Sequence, residues 1–324
     1  MSKNRKFHAR QITLIATAAI FVALFITASL LYDGFFSTRV AVSLLSDNAV
    51  LGIIAVGMTL VIFSGGIDLS VGAVIGFTAI LTATLIQGHN MPPMAAWAIS
   101  LAAGSGLGVF MGWLISAFRL PPFLITLAGM FLARGLGFWI NTESVSIQHP
   151  LYDGISGFAI TLGSLSLPAR VLILVAVLIA GYLLAHQTRY GRTLLAVGGN
   201  EQSALLMGLP VGPTKIVVYA VSGFCAALAG IVATLNTTSG DPAKGMGDEL
   251  DAIAIVVIGG TLLAGGRGHM LGTLFGILIF GTIQQAILFD GRLSSWWTKI
   301  VVGGMLLGFI LLQRFLVQRA SRRG

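Results

Sequence analysis

Ser64-Gly-Gly-Ile-Asp-Leu-Ser70 separates two apolar runs, Val42–Phe63 and Val71–Ile86. Runs of this length approach the roughly 20 residues a helix needs to cross the hydrocarbon core of a bilayer. Two glycines and a carboxylate between them mark backbone that cannot simply continue as a helix. Non-helical backbone at membrane depth survives only where protein or water satisfies its polar groups. The stretch therefore reads as a break inside a helical membrane protein.

The rest of the chain agrees. Of its 324 residues, 56% are apolar and 9% charged, with 42 glycines, where a soluble domain carries about 25% charged residues. Mean hydropathy is +0.93. These figures exclude a soluble enzyme, a disordered tail and a disulfide scaffold. A transmembrane β-barrel would alternate polar and apolar residues in segments of about ten, whereas these runs are continuous and about twice that length. The expectation is an all-α polytopic protein with about ten transmembrane helices, some broken or re-entrant. The runs are Ile12–Leu31, Val42–Phe63, Val71–Ile86, Met94–Phe118, Ile125–Ile140, Pro168–Ala185, Ile216–Asn236, Leu250–Ala264, Leu271–Phe289 and Trp296–Phe315. The whole chain, 1–324, reads as one membrane domain.

Lys3, Arg5, Lys6 and Arg10 precede the first run. That run is longer than the 7–15 residues of a signal-peptide core and lacks a small-x-small cleavage site, so it is expected to remain as an anchor. With the N-terminus inside, Arg39, Arg170, Lys244, Arg292 and Lys299 fall outside and Arg134 within a span; the remaining 13 of the 19 basic residues fall inside. The positive-inside rule supports cytoplasmic termini. The net charge of +8 then reflects orientation in a lipid membrane, and no nucleic-acid partner is expected. Cys225 is the single cysteine, so no internal disulfide can form. The five histidines are scattered, and no metal-ligand spacing is present.

Helices in lipid associate through close packing at small residues. Gly104, Gly108 and Gly112 form a tandem stripe, and Gly272 and Gly276 repeat the spacing; both suit a tight bundle or a subunit interface. Gly259-Gly260 and Gly265-Gly-Arg-Gly268 interrupt the second half as Ser64–Ser70 interrupts the first. Paired interruptions of this kind point to a transport site, although each is also compatible with a tight cytoplasmic turn. Arg134, Asp47, Asn48, Glu249 and Asp251 lie in or beside apolar runs, where polar groups either pair structurally or line a pathway. The inner loop, 186–213, contains Asn200, suited to cap a short helix with Glu201 in its first turn, and Gly208, suited to end it. That helix is either a docking element or one lying on lipid. No Walker A, HExxH or GxSxG pattern is present, so the chain carries no catalytic residues and no cofactor site, and energy for uphill movement must come from a partner ATPase or an ion gradient.

Four ordered motifs carry a resemblance. Phe63-Ser-Gly-Gly-Ile-Asp-Leu-Ser-Val-Gly72 resembles the signature of permease subunits of ribose-type sugar ABC importers, within the ribose and branched-chain amino acid permease fold. Ile125-Thr-Leu-Ala-Gly-Met-Phe with Arg134-Gly135, Tyr190–Leu209, and Glu249–Thr261 with Gly265–Gly268 and Gly272-Thr273 are similar to further segments of that family. Tyr190 stands where the family often has Phe, and Ala128 where ribose permeases often have Gly. Asn48–Met58 and Phe289–Ile300 resemble the permeases of galactofuranose importers more narrowly. The resemblance implies a heterodimer with a second related permease, an ABC ATPase of two fused nucleotide-binding halves, a periplasmic sugar-binding protein and a place in the bacterial inner membrane. It implies coupling to the ATPase through Gly191, Gly199, Asn200, Glu201, Ala204 and Gly208. Hydroxyl and amide groups suit a sugar, so Asn48, Thr59, Ser64, Asp68 and Gln284 are the candidate translocation residues. An importer for ribose or another sugar is the alternative within the class. An ion-coupled secondary transporter is the alternative outside it, with Asp68 as its main candidate carboxylate. An intramembrane enzyme would need a nucleophile or metal set that the sequence lacks.

Overall fold

The computed structural model describes residues 3–163, 165–294 and 296–321, with side chains from residue 14 except at 162, 310 and 312–321. Arg322 and Arg323, and the side chains of Lys3, Arg5, Lys6, Arg10, Arg314 and Arg319, lie outside the described residues. In chain order the elements are α1 (Lys3–Leu31), α2 (Thr38–Ser46), α3 (Ala49–Phe63), α4 (Val71–Ala83), α5 (Pro93–Ala117), α6 (Pro122–Ile140), β1 (Val145–Ser146), α7 (Pro150–Ser156), β2 (Ala159–Leu162), β3 (Leu165–Pro168), α8 (Ala169–Gln187), α9 (Arg189–Gly199), α10 (Glu201–Leu206), α11 (Val211–Thr237), β4 (Ser239–Gly240), α12 (Asp248–Ile258), α13 (Met270–Asp290) and α14 (Trp296–Ser321).

Among the described residues, seven helices are long and apolar enough to span a membrane: α1, α4 extended to Gly88, α5, α6, α8, α11 and α13. An eighth span exists if α2 and α3 count together, bent by 53°. This departs from the expected count of about ten in two places. The run Leu250–Ala264 is helical only as far as Ile258, where Gly259 and Gly260 stop it. At 1.5 Å per residue α12 is about 16 Å long, half of a hydrocarbon core of about 30 Å. The last run lies in α14, whose apolar part is Trp296–Phe309. Val42–Phe63 is likewise not one helix, because it breaks at Asp47-Asn48.

The helices differ sharply in burial. In α4, α11 and α13, 72%, 67% and 61% of the span is buried, against 11% for α1 and 22% for α6 and α8. Nearly all of α3 is buried as well. The tandem glycine stripe of α5 packs on α11 within the same chain. A Cβ on Gly104 would lie 2.6 Å from Ala227 Cβ, one on Gly112 would lie 2.8 Å from Ile216 Cα, and one on Gly108 would overlap the Tyr219 carbonyl. Gly272 and Gly276 of α13 similarly press on Gly259, which caps α12, and on Ile255 within it. Neither stripe is left for a subunit interface, since each is used to bring two backbones of this chain together.

The residues between α6 and α8 add short strands that the all-α expectation did not include. β1 pairs with β4 and β2 with β3, both antiparallel. Tyr152 of α7 is fully buried, accepting from Trp97 Nε1 at 2.9 Å and bonded to Thr234 Oγ1 at 3.1 Å, which anchors this layer on α5 and α11.

Candidate functional site

After β4 the chain passes along α4 as a series of turns over residues 242–247. A Cβ on Gly240, Gly76 or Gly72 would overlap the carbonyls of Ala79, Pro242 and Gly245 respectively. The glycine face of α4 thus receives the backbone of a turn segment rather than a helix. Carbonyls of such a segment have no ladder partner and cannot be left bare away from water. Arg134 supplies the missing donors: its Nη1 donates to Pro242 O at 2.7 Å and to Lys244 O at 2.9 Å. Asp251, one turn into α12, pairs with Lys299 of α14. Asp47 accepts from Gln285 Nε2 at 2.9 Å. Structural pairing is therefore what Arg134, Asp47 and Asp251 do here. Glu249 Oε2 and Asn48 Oδ1 are buried without a hydrogen-bond partner among the described residues.

The first break begins where α3 ends. Ser64 Oγ donates to Val61 O at 2.6 Å, and Gly65 takes φ +81°, a conformation that favours glycine. Asp68 is completely buried. Its Oδ1 accepts from the Ser70 backbone N–H at 2.9 Å and from Ser70 Oγ at 2.6 Å; its Oδ2 accepts from Ser222 Oγ of α11 at 2.7 Å. Thr126 of α6 donates to Ile67 O at 3.2 Å. A Cβ on Gly66 would overlap the Tyr219 hydroxyl.

The second break closes α12 with Gly260 at φ +88°, whose N–H donates to Val257 O at 2.9 Å. Gly265 and Gly266 both take positive φ. α13 then starts under two imidazoles. His269 Nδ1 accepts from Leu271 N–H and His186 Nε2 from Met270 N–H, each at 3.1 Å, with the rings stacked at 4.4 Å between centroids. This pair was invisible as a motif because its members lie 83 residues apart in the sequence.

α9 and α10 form a capped pair. Thr188 Oγ1 accepts from Gly191 N–H at 3.0 Å, and a Cβ on Gly191 would overlap Ala185 O, so α9 leaves α8 in close backbone contact. Tyr190 Oη donates to Thr214 O at 3.0 Å, and burial pushes its phenol well above the ordinary value, keeping that proton in place. Asn200 Oδ1 accepts from Ser203 N–H at 2.7 Å, and Glu201 pairs with Lys215 at 2.7 Å. Ala204 is fully buried beside Val197 and Val211. Gly208 takes φ +75°, with its N–H on Leu205 O and that of Leu209 on Ala204 O, which satisfies the last carbonyls of the helix. Leu205, Leu206 and Met207 are left 57%, 86% and 68% exposed. Three apolar side chains on a helix held at both ends form a surface element of defined shape.

The structure brings the six candidate coupling residues into this one unit. The translocation candidates divide. Thr59 Oγ1 meets Thr273 Oγ1 at 2.7 Å, tying α3 to α13. Asn48 Nδ2 donates to Leu44 O at 3.0 Å. Asn48, Thr59, Ser64 and Asp68 are buried within the chain, and Gln284 is half-buried on α13. Sequence reading missed Ser222, Tyr219 and Gly198, which complete the breaks from other helices and carry no local signal. Among the described residues no group of metal-ligating side chains is gathered.

Residues 40–310 match the family model described as branched-chain amino acid transport system / permease component, and the chain belongs to this family. It is 50% identical over 308 residues to the inner membrane ABC transporter permease protein YjfF of Escherichia coli K12, covering 95% of this chain and 93% of that one. The fructose import permease protein FruG of Bifidobacterium longum is 40% identical over 319 residues, 96% and 93% of the two chains. The ribose import permease protein RbsC of Escherichia coli K12 is 37% identical over 285 residues, 88% of each.

Proposed function

We propose that this chain is the transmembrane permease subunit of an ATP-driven sugar importer of the bacterial inner membrane, passing a monosaccharide from periplasm to cytoplasm by alternating access. The observation that carries the reading is the α9–α10 unit. Its caps and the Glu201–Lys215 pair fix its shape, and Leu205, Leu206 and Met207 project from it without cover in the single chain. An ATPase subunit is the partner that such a rigid apolar projection suits, with Gly191, Gly199, Asn200, Glu201, Ala204 and Gly208 shaping the contact. The import permeases for fructose and ribose among its relatives support a sugar as cargo.

The finer parts follow from the resemblance. The sugar is galactofuranose, the ATPase has two fused nucleotide-binding halves, and a second related permease and a periplasmic sugar-binding protein complete the assembly. Ten segments lie in the membrane, with α12 and α14 added to the eight longer spans, and both termini are cytoplasmic. Asn48, Thr59, Ser64, Asp68 and Gln284 serve translocation through the break and helix ends they build. A sugar other than galactofuranose leaves fold and mechanism unchanged. The ion-coupled alternative is not favoured, since Asp68 already accepts from three donors.

The test is purification of the tagged protein from its host in mild detergent, with mass spectrometry of what accompanies it. A P-loop ATPase with a second permease supports the heterodimeric importer. An ATPase with this permease alone points to a homodimer. No ATPase after crosslinking overturns the reading. Leu206→Asp is expected to weaken ATPase association at least tenfold while leaving thermal stability of the permease unchanged.

A further inference from the structure

Five glycines from three distant parts of the chain meet at one point: Gly65 in the first break, Gly198 and Gly199 at the end of α9, and Gly265 and Gly266 in the second break. The two breaks are bonded to each other directly, because the Gly266 N–H donates to Phe63 O at 3.1 Å. Gly198 sits against that bond. A Cβ there would overlap Phe63 O and would lie 2.8 Å from both Gly266 N and Ser64 C. A Cβ on Gly265 would lie 2.6 Å from Gly65 Cα and 3.0 Å from Gly198 O, and one on Gly266 would lie 2.5 Å from Gly199 N.

Every neighbour in this set is a backbone atom, so no rotamer change relieves a displacement. Packed elements of this kind shift as bodies rather than deform. α9 is joined to α8 at one end through Gly191 and pressed between the two breaks at the other. α3 ends at the first break and α12 at the second; α4 and α13 start from them.

We infer that Gly198 is a positioning residue of the coupling step: it seats α9 on the bonded pair of breaks, so that displacement of α9–α10 reaches α3–α4 and α12–α13 together. The inference deepens the importer reading and rests on it.

Gly106 in α5 is the internal control. It is an exposed helical glycine, and a Cβ there would meet nothing within 4 Å. Alanine at either position gives the same gain in helix propensity, and only Gly198→Ala forces the joint apart. The experiment uses the assembled importer with its ATPase in lipid nanodiscs. A reporter thiol is introduced by Ala264→Cys at the exposed edge of the second break; the native Cys225 is buried. Gly198→Ala is expected to retain its ATPase and basal hydrolysis, to lose at least tenfold of uptake and of binding-protein-stimulated hydrolysis, and to lose the change in reporter labelling caused by trapped ATP. Gly106→Ala is expected to stay within about twofold of wild type in all three. A Gly198→Ala importer that responds like Gly106→Ala overturns the joint and leaves the importer reading standing. Wild-type protein that binds no ATPase overturns the importer reading itself. Where Gly198→Ala fails to assemble, labelling of Ala264→Cys in otherwise wild-type importer decides: nucleotide must alter it, and an unchanged rate overturns the joint.

Discussion

At the first break the chain is held by side chains, and at the second by backbone and two imidazoles. Asp68 gathers Ser70 and Ser222, so the turn is stitched to α11 by a buried carboxylate. Between Gly259 and His269 no carboxylate occurs; consecutive positive-φ glycines fold the loop onto Gly65 and Gly199, and His186 and His269 cap the helix that follows. A buried carboxylate satisfied by three donors is expensive to alter, because each donor it loses is left unmet in a dry site. Glycine contacts cost little to maintain and tolerate no added atom. The first break is thus a chemical fastening and the second a steric one, and they fail in different ways.

The largest effect should come from removing the fastening. Asp68→Ala leaves Ser70 and Ser222 donors unsatisfied and is expected to cost about 3 kcal/mol of stability, read as a lowered unfolding midpoint in detergent. A midpoint unchanged by this substitution would mean that the carboxylate is not what holds the first break. Next is Gly66→Ala, whose new methyl collides with the Tyr219 hydroxyl, at about 2 kcal/mol for an overpacked site. The collision is with one removable atom, so Tyr219→Phe should restore most of the loss, and a double-mutant cycle measures the restoration. At the second break, His186→Ala removes one of two caps on α13 and should cost about 1 kcal/mol. Combined with His269→Ala the loss should depart from additivity, because the rings stack on each other; strictly additive losses would show two independent caps. The smallest effect is expected from Tyr219→Phe alone. Its hydroxyl is buried without a partner among the described residues, so the change should be within about 0.5 kcal/mol of neutral or slightly stabilising.

The difference between the breaks also explains what could be read early. Ser64–Ser70 was legible as an interruption because glycine and aspartate are foreign to an apolar span. Asn200 and Gly208 were legible as caps because capping is a local exchange between a side chain or a turn and the nearest orphan backbone groups. The partner of Asp68 was not legible: Ser222 lies 154 residues away on an otherwise apolar helix. Arg134 was recognised as costly in its span, but its task, supplying donors to carbonyls of a turn segment, needs the path of residues 241–247 to be known. The glycine stripes were read correctly as packing devices, with only the chain they serve left undecided.

Sequence by itself determined that this is a helical membrane protein, where its backbone breaks, and the form of its short capped helix α10. Those features depend on composition and on contacts between neighbours in the chain, where spacing alone sets distance. Tertiary structure decided that α12 stops halfway, that both glycine stripes are spent inside the chain, and that the two breaks and α9 share one joint. These depend on which backbones come within contact of one another, and a glycine, having no side chain to specify a partner, says that something approaches closely without saying what.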